Sequence, residues 1–167
     1  SVENLVSQTI REYGQIDILF NCAGIILRKP IEDATDEEWN SMLDVNLRGV
    51  FLCSQIAGRE MIKRKQGKII NISSNIAQVL QPDRGIYAIS KAGVSHLTKV
   101  MALEWAPYHI NVNAIAPAPT MTDLNRKYFE EHPEDLKERL HSIPLGRLGN
   151  PTDYVGMAIL LASRASD

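Results

Sequence analysis

Three short apolar runs, each ending in small or polar residues, constrain the fold of this 167-residue chain more than any other feature. They read IDILFNCAG from residue 16, GKIINISS from residue 67 and HINVNAIAP from residue 109. Short runs rich in isoleucine, valine and leucine are typical of strands that are buried on both faces of a parallel sheet. Stretches with helical character separate them. The alternation predicts an α/β fold with a three-layer, doubly wound parallel sheet.

Helical signals fill the stretches between these runs. Residues 3 to 13 carry apolar side chains at helical spacing and stop before Gly14, a residue that commonly ends a helix. Thr35 and Glu38 have the spacing of a capping box, so we expect a second helix to begin there. Its apolar positions continue to about Ile62, after which KRKQG is expected to end it with basic residues and a glycine.

The second half of the chain contains further helical segments. A long helix is predicted over about Gly85–Trp105, ending before Pro107. Residues 120 to 148 have no strong period and contain two prolines, which predicts a mobile helical excursion. A last helix is expected near Asn150, which can cap it, with Pro151 in the first helical position.

Composition excludes several classes of function. The formal net charge is −2, so we expect no nucleic-acid partner and no anionic membrane partner. No apolar run approaches the roughly 20 residues that span a bilayer, and the polar N-terminal stretch predicts no signal peptide. Cys22 and Cys53 have neither metal-site spacing nor a disulfide framework, which favours a cytoplasmic location. We expect no metal site, because the histidines are scattered: His96, His109, His132 and His141.

The ends of the three runs are the candidate ligand site, because open parallel sheets bind ligands beyond the carboxyl ends of their strands. Tyr87 and Lys91 follow the loop that leaves the second run. The polar and small residues directly after the runs are Asn21, Cys22, Ala23 and Gly24, then Ser73, Ser74 and Asn75, then Pro117, Ala118, Pro119 and Thr120.

Tyr87 and Lys91 are four residues apart in GIYAISKAGV, which places them on one helix face. A free tyrosine has a pKa near 10, and an ammonium about 4 Å away favours a phenolate by about 4 kcal/mol at an effective dielectric of about 20. We therefore expect Lys91 to lower the pKa of Tyr87, which could then exchange a proton with an alcohol or carbonyl while Ser74 holds the same oxygen. Taken singly, such a pair is usually a surface pair and such a serine a turn former. Their common position on one rim favours the catalytic interpretation.

The same residues resemble those of the short-chain dehydrogenase/reductases. NCAG is similar to the family's Asn-Asn-Ala-Gly motif, with Cys22 in place of the second asparagine, and DVNLRG resembles the segment that holds the active-site asparagine, here Asn46. INISS resembles the serine segment, YAISK the Tyr-x-x-x-Lys motif, and NVNAIAPAPTMT the segment that closes over the nicotinamide. The family's thirteen-residue spacing before Tyr87 favours Ser74 over Ser73.

The resemblance implies a Rossmann-like fold, NAD or NADP as cofactor, and roles for four catalytic residues. Tyr87 would be the general acid/base, and Lys91 would lower its pKa and hold the nicotinamide ribose. Ser74 would orient the substrate oxygen, and Asn46 would position a water that relays protons to Lys91. The cofactor-binding residues that it implies are Asn21, Ala23, Gly24, Tyr87, Lys91, Pro117, Ala118, Thr120 and Thr122.

Two features depart from the family pattern. Ala118 replaces the usual glycine after Pro117, and its methyl group restricts the backbone. No Gly-x-Gly occurs in the chain, although the family needs a glycine-rich turn at the pyrophosphate. We therefore expect residues 1–167 to form a single partial Rossmann-like domain that carries the catalytic half and lacks the first strands, the last strand and the glycine-rich cofactor half. On that basis the isolated chain is expected neither to bind dinucleotide tightly nor to turn over.

The substrate is expected to be small. The segments NCAGIILRKPIEDATDEEWN and ALEWAPYHINVNAIAP resemble the gluconate and 2-deoxygluconate dehydrogenase branch, which implies oxidation of a sugar acid or polyol and the reverse reduction. The residues expected to contact the substrate are Arg28, Ser74 and Tyr87. Arg28 lies where a substrate-facing loop is expected to begin, and its guanidinium could clamp a carboxylate. The simpler interpretation of Arg28 is a solvated surface arginine. The resemblance also implies a homo-oligomer, a tetramer or a dimer, with subunit contacts through the two long helices.

Two alternatives stay open. The first is a 3-oxoacyl-thioester reductase on the same scaffold, which would favour a basic surface near the site; the net charge of −2 does not favour it. The second is a catalytically silent relative that binds nucleotide or acts as a scaffold. Against it stands the complete set of Asn46, Ser74, Tyr87 and Lys91, since a silent protein has no physical need for all four.

Overall fold

The computed structural model of the chain describes residues 1–167 and contains one three-stranded sheet. Its strands are β1 (Ile18–Asn21), β2 (Gly67–Ile72) and β3 (Ile110–Ile115), in the spatial order β1-β2-β3. All pairings are parallel, with Ile18 opposite Lys68 and Gly67 opposite Ile110. The predicted parallel α/β architecture is confirmed, and each predicted apolar run contains one strand.

The helices lie on both sides of this sheet. The helices α1 (Val2–Tyr13), α2 (Asp36–Leu43), α3 (Gly49–Arg64) and α4 (Gly85–Trp105) form one layer, in which α3 and α4 contact the strands and α1 packs on α3. On the other side α7 (Val155–Ala162) packs against β2 and β3. The main apolar cluster lies between the first layer and the sheet and consists of Met61, Ile69, Met101, Ile110 and Val112. None of the helices combines the length and apolar character needed to cross a bilayer.

Local sequence signals explain most helix ends. The predicted capping box is present: the amide of Glu38 donates to Thr35 Oγ1 at 3.2 Å, and the amide of Thr35 donates to Glu38 Oε2 at 2.9 Å. Gly14 ends α1 in the left-handed conformation, with φ of 81°. Asn150 caps the 3-10 turn Pro151–Tyr154 that leads into α7, as expected. These predictions, and the bounds of α4, are confirmed.

Two expectations were wrong in detail. The helix α3 ends at Arg64 with the expected basic residues in its last turn, but its cap is Lys65, in the left-handed conformation with φ of 54°, and not the expected glycine. Gly67 instead begins β2, where an added Cβ would collide with the side chain of Met61. The strands are also not all buried on both faces: Ile18 and Phe20 of β1 keep 47% and 43% of their surface exposed, and only the central strand β2 is covered throughout.

A π-helical turn, Asp44–Arg48, joins α2 to α3 without interrupting the helical path. It contains Asn46, whose side chain is completely buried. Single π turns inside helices often occur at functional sites. The predicted single helix from Thr35 to about Ile62 is therefore two α-helices joined by this turn.

Residues 121–148, which we call the arm, leave the body between β3 and α7. They contain α5 (Asp123–Glu131) and α6 (Pro133–Ser142), so the helical prediction for this segment is confirmed. The two ends of the arm meet where Thr120 and Gly149 form a parallel bridge. The amide of Gly149 donates to Pro119 O at 2.9 Å, and the amide of Met121 donates to Gly149 O at 2.9 Å.

Candidate active site

A cavity of about 600 Å³ lies at the carboxyl ends of the strands, between the strand-end loops, α4 and the arm. The rim that the sequence predicted is therefore a single concave site. Ten of the predicted site residues line it: Ala23, Gly24, Arg28, Ser74, Tyr87, Lys91, Pro117, Ala118, Thr120 and Thr122. Asn21 and Asn46 do not.

Lys91 lies in the floor of the cavity on α4, with 4% of its surface exposed. Its Nζ donates to the carbonyl oxygen of Ile72, at the end of β2, at 2.8 Å. The same Nζ lies 5.9 Å from the centroid of the Tyr87 ring. Burial lowers the pKa of Lys91, and the neighbouring Cys22 opposes that shift. The sheet therefore orients the Lys91 ammonium.

Tyr87 faces the cavity one helical turn before Lys91, but its pKa moves opposite to expectation. Burial raises the pKa of the Tyr87 phenol above its ordinary value. The Ser74 side chain, Arg28 and Arg84 act in the opposite direction. The prediction of a lowered pKa left out the desolvation of the phenolate, which is the largest cause of the shift. The groups that favour the phenolate are the serine and two arginines.

The two serines after β2 have different surroundings. The Ser73 hydroxyl is buried, donates to the Lys91 carbonyl oxygen at 2.9 Å and shares a 2.6 Å hydrogen bond with Ser95. The Ser74 hydroxyl lines the cavity and interacts with Tyr87. Ser73 thus fixes the strand end to α4. The Ser74 hydroxyl accepts the Ile76 amide at 3.3 Å and donates to Asn75 Oδ1 at 3.5 Å while it faces the cavity.

Asn46 joins three parts of the site through its buried side chain. Its Oδ1 accepts the Ile25 amide at 2.8 Å, and its Nδ2 donates to Ile25 O at 2.9 Å and to Ser90 Oγ at 3.1 Å. Ser90 in turn donates to Tyr87 O at 2.7 Å. Both amide protons thus have protein acceptors, so the Asn46 side chain holds the loop of Ile25 against α4. The contact of Asn46 with a relay water stays a prediction.

Asn21 was expected to line the cofactor site, but its side chain points into the sheet. Its Nδ2 donates to Ser54 Oγ at 3.0 Å and to Asn71 Oδ1 at 2.8 Å. Asn71 Nδ2 then donates to Thr98 Oγ1 at 2.9 Å. This buried chain of hydrogen bonds connects β1, β2, α3 and α4. Both amide protons of Asn21 are donated to Ser54 and Asn71, so the Asn21 side chain holds the end of β1 against its neighbours.

The loops at the cavity fit a flat ligand that approaches the backbone closely. At Gly24 an added Cβ would lie 3.2 Å from Asn46 Oδ1 and 3.6 Å from Lys91 Nζ, so the missing side chain leaves the ammonium accessible. At Ala118 the backbone is outside the left-handed region, and its carbonyl accepts Thr120 Oγ1 at 2.7 Å. The alanine therefore needs no conformation that only glycine adopts. These residues fit the nicotinamide end of a dinucleotide.

Arginines that sequence analysis did not identify also line the cavity. Besides Arg28, Arg84 at the start of α4 and Arg139 on α6 are lining residues. The Arg28 guanidinium lies 3.9 Å from the centroid of the Tyr128 ring, and its buried Nε has no hydrogen-bond partner. Arg28 is thus a cavity residue and not a solvated surface arginine. The sequence could have identified Arg84 as a site residue, because it lies three residues before Tyr87. No feature of the sequence pointed to Arg139.

Comparison with known proteins supplies independent information. A family model described as enoyl-(acyl carrier protein) reductase matches residues 1–167. The NAD-dependent glycerol dehydrogenase of Listeria innocua is 40% identical over 167 residues, covering 99% of this chain and 65% of that protein. A 2-dehydro-3-deoxy-D-gluconate 5-dehydrogenase of Bacillus subtilis is 46% identical over 159 residues, covering 93% of this chain and 61% of that protein. The chain therefore spans 61% to 65% of the length of these two relatives.

Solved structures agree with the sequence matches. A gluconate 5-dehydrogenase from Burkholderia cenocepacia, crystallised in complex with NADP and tartrate, superposes on the chain with a TM-score of 0.92 at 38% identity. The match covers 99% of this chain and 64% of that one. The sheet, the helices and the strand-end loops described above thus have counterparts in a ligand-bound crystal structure.

Proposed function

The chain belongs to the short-chain dehydrogenase/reductase family, and we propose that its cavity is the active site of an oxidoreductase acting on secondary alcohols and ketones. The observation that supports this activity is the placement of Tyr87, Ser74 and Lys91 on the wall of one cavity at the carboxyl ends of parallel strands. We further propose that residues 1–167 contribute the catalytic half of a single Rossmann-like domain.

Proton transfer is the chemistry that the chain's own residues supply. In the oxidative direction the Tyr87 phenolate accepts the hydroxyl proton of the substrate, and in the reductive direction the phenol donates it to the carbonyl oxygen. Ser74 Oγ holds that oxygen in line with the phenol. Arg28 and Arg84 favour the phenolate, and burial favours the phenol. Tyr87 can thus serve both directions, with pH deciding which form prevails.

NAD or NADP is the proposed cofactor, since one relative is described as NAD-dependent and a similar crystal structure contains NADP. When bound, the nicotinamide accepts or supplies the hydride. The open backbone at Gly24, the Lys91 ammonium and the loop from Pro117 to Thr122 are the residues that would hold its ribose and ring. Asn46 keeps this wall in position by holding the backbone of Ile25.

The proposed substrate is a sugar acid or polyol. Support comes from the relatives, which act on glycerol or on gluconate derivatives according to their names. The cavity offers Arg28, whose guanidinium group can donate to a carboxylate. In this arrangement Ser74 and Tyr87 meet the reacting oxygen, and Arg28 holds another part of the same molecule.

Replacing Tyr87 with phenylalanine tests the proposal. The change removes the phenolic oxygen and keeps the ring, so kcat for oxidation of a sugar acid or polyol should fall about 100- to 10,000-fold. The measurement is steady-state kinetics of the complete protein, with NAD and NADP supplied in separate assays. The melting temperature should change little, because the ring still fills its place.

A matched control is Tyr13→Phe, since Tyr13 ends α1 and is 77% exposed, far from the cavity. This variant should keep wild-type kinetics. Near-normal turnover by Tyr87→Phe would refute the assignment of Tyr87 as acid/base.

Reduction of a 3-oxoacyl thioester is a second candidate, favoured by relatives described as 3-oxoacyl-[acyl-carrier-protein] reductases. The charge argument against it does not hold locally. The chain carries a net charge of −2, yet the charged residues that line the cavity are all cationic. A side-by-side assay with a 3-oxoacyl thioester and a sugar acid distinguishes the two activities.

Assembly and location are also proposals. We propose a homo-oligomer, a dimer or tetramer, because the two long helices expose apolar side chains: Phe51 on α3, and Ile89, Val100 and Leu103 on α4. We propose a cytoplasmic location, in keeping with the free thiols of Cys22 and Cys53. Light scattering of the complete protein measures its oligomeric state.

A further inference from the structure

The charged residues of the cavity are unbalanced. Its lining contains four cations and no aspartate or glutamate. None of these cations forms a salt bridge anywhere in the chain, although eight other basic residues do. Collected positive charge without a counter-ion is unfavourable unless a ligand supplies the negative charge. The four cations are Arg28, Arg84, Lys91 and Arg139.

Two of these arginines are held beside each other. The amide of Lys29 donates to Asp83 O at 2.9 Å, which ties the loop of Arg28 to the loop of Arg84. The two guanidiniums lie 3.9 and 5.7 Å from the centroid of the same Tyr128 ring. Arg84 is only 9% exposed. The repulsion of Arg84 contributes to a lowered pKa of Arg28, for which burial is the main cause. The aromatic ring thus accommodates two like charges that no carboxylate neutralises.

The third arginine comes from the arm. Arg139 lies on α6, lines the same cavity and also contributes to lowering the pKa of Arg28. Arg28 and Arg84 both act on Tyr87. Arg28 and Arg84 therefore lie near the reacting phenol, and Arg139 lines the same cavity near Arg28. The oxygen that exchanges a proton with that phenol belongs to the substrate, so the arginines lie on the substrate side of the site.

We infer that Arg84 and Arg139 are specificity-determining residues which, with Arg28, select substrates that carry a carboxylate over neutral polyols. This rests on the proposed function and narrows its substrate class from sugar acids or polyols to sugar acids. Arg28 and Arg84 hold the carboxylate from the body, and Arg139 completes the enclosure from the arm.

The test compares D-gluconate with D-glucitol, which differ at carbon 1 in having a carboxylate or a hydroxymethyl group. For the complete protein we expect kcat/KM to favour D-gluconate. Arg139→Gln should lower kcat/KM for D-gluconate about 10- to 100-fold, the loss expected for one charge-assisted hydrogen bond, and change kcat/KM for D-glucitol less than about threefold. Arg84→Gln should lower kcat/KM for both substrates, because Arg84 also favours the Tyr87 phenolate, but the loss for D-gluconate should be about 10- to 100-fold larger than the loss for D-glucitol. Arg84→Lys keeps the charge and should recover part of the loss.

The control is Arg126→Gln, which removes an arginine of the arm that pairs with Asp123 outside the cavity. It should leave the preference unchanged. Equal losses for both substrates, no loss, or a wild-type preference for D-glucitol would each overturn the inference while leaving the dehydrogenase function standing. If the protein oxidises neither compound, the binding of D-gluconate is measured by calorimetry. Weaker binding by Arg84→Gln and Arg139→Gln would support the inference. Unchanged binding by the two variants, or no binding by the wild type, would overturn it.

Discussion

The two walls of the cavity are built differently. The wall formed by β2 and α4 carries Ser74, Tyr87 and Lys91, and α4 alone contains seven buried residues. The arm, residues 121–148, supplies the opposite wall, and in its two helices only Phe129 is buried. Its ion pairs, such as Arg126 with Asp123, lie at the surface, where they stabilise little.

This contrast separates two tasks. A proton donor must keep its position relative to the reacting oxygen, and packed strands and helices provide that rigidity. A wall that recognises the remainder of a ligand has to let it enter and leave, which a lightly packed segment allows. In the proposed enzyme the body would carry out the chemistry, and the arm would close over the substrate.

The largest expected difference between the two walls is in hydrogen exchange. Amides in the buried part of α4 should exchange about a thousandfold or more slowly than those of α5 and α6, because the arm can open without unfolding the sheet. Hydrogen-exchange mass spectrometry of the ligand-free protein measures this ratio. Similar protection in both regions would show that the arm is not an independent unit.

Matched asparagine substitutions should show the next largest effect. Asn71 and Asn125 each make two side-chain hydrogen bonds, but Asn71 is completely buried in β2 and Asn125 is half-buried in the arm. Asn71→Ala removes one hydrogen bond from Asn21, which keeps Ser54, and one from Thr98, which keeps Val94 O, and should lower the free energy of unfolding by about 2 to 4 kcal/mol. Asn125→Ala should lower it by about 1 kcal/mol or less.

Chemical denaturation of both variants gives the two values on one scale. A loss for Asn125→Ala that equals the loss for Asn71→Ala would mean that the arm contributes to global stability as much as the sheet does.

The smallest effect concerns pH. Arg28 favours the Tyr87 phenolate, so Arg28→Gln should raise the pKa of Tyr87 further above its ordinary value. Alcohol oxidation needs the phenolate, so its rising limb against pH should move to higher pH; ketone reduction needs the phenol and should persist to higher pH. The measurement is kcat/KM in both directions from about pH 8 to about pH 12, a range centred on the ordinary tyrosine pKa of about 10.

Lys29→Gln is the matched control for that profile, since Lys29 is the neighbouring cation and pairs with Glu38 outside the cavity. Its profile should coincide with that of the wild type. An unshifted profile for Arg28→Gln would mean that the arginine does not act on the phenol.

Sequence patterns predicted what depends on neighbours along the chain. The capping box at Thr35, the left-handed Gly14 and the span of α4 follow from local rules, and the structure contains all three. The common rim also followed, because the parallel sheet fixes where strand ends meet. Ser74 lies in the cavity where motif spacing placed it.

Properties that depend on contacts far apart in the chain were not predictable in this way. The side-chain partners of Asn21 were not predictable, because Ser54 and Asn71 lie far from it in sequence and are brought to it by the fold. The pKa of Tyr87 depends on desolvation, which no spacing rule measures. Arg139 reaches the cavity only because the arm folds back over it.

The bridge between Thr120 and Gly149 has a consequence for how such proteins can diverge. The chain enters and leaves the arm at neighbouring residues, so the intervening segment can be lengthened, shortened or exchanged without displacing β3 or α7. A related protein could in this way acquire a different substrate specificity through changes in the arm alone. The proposed proton-transfer residues Ser74, Tyr87 and Lys91 would stay unchanged, because they lie outside the arm.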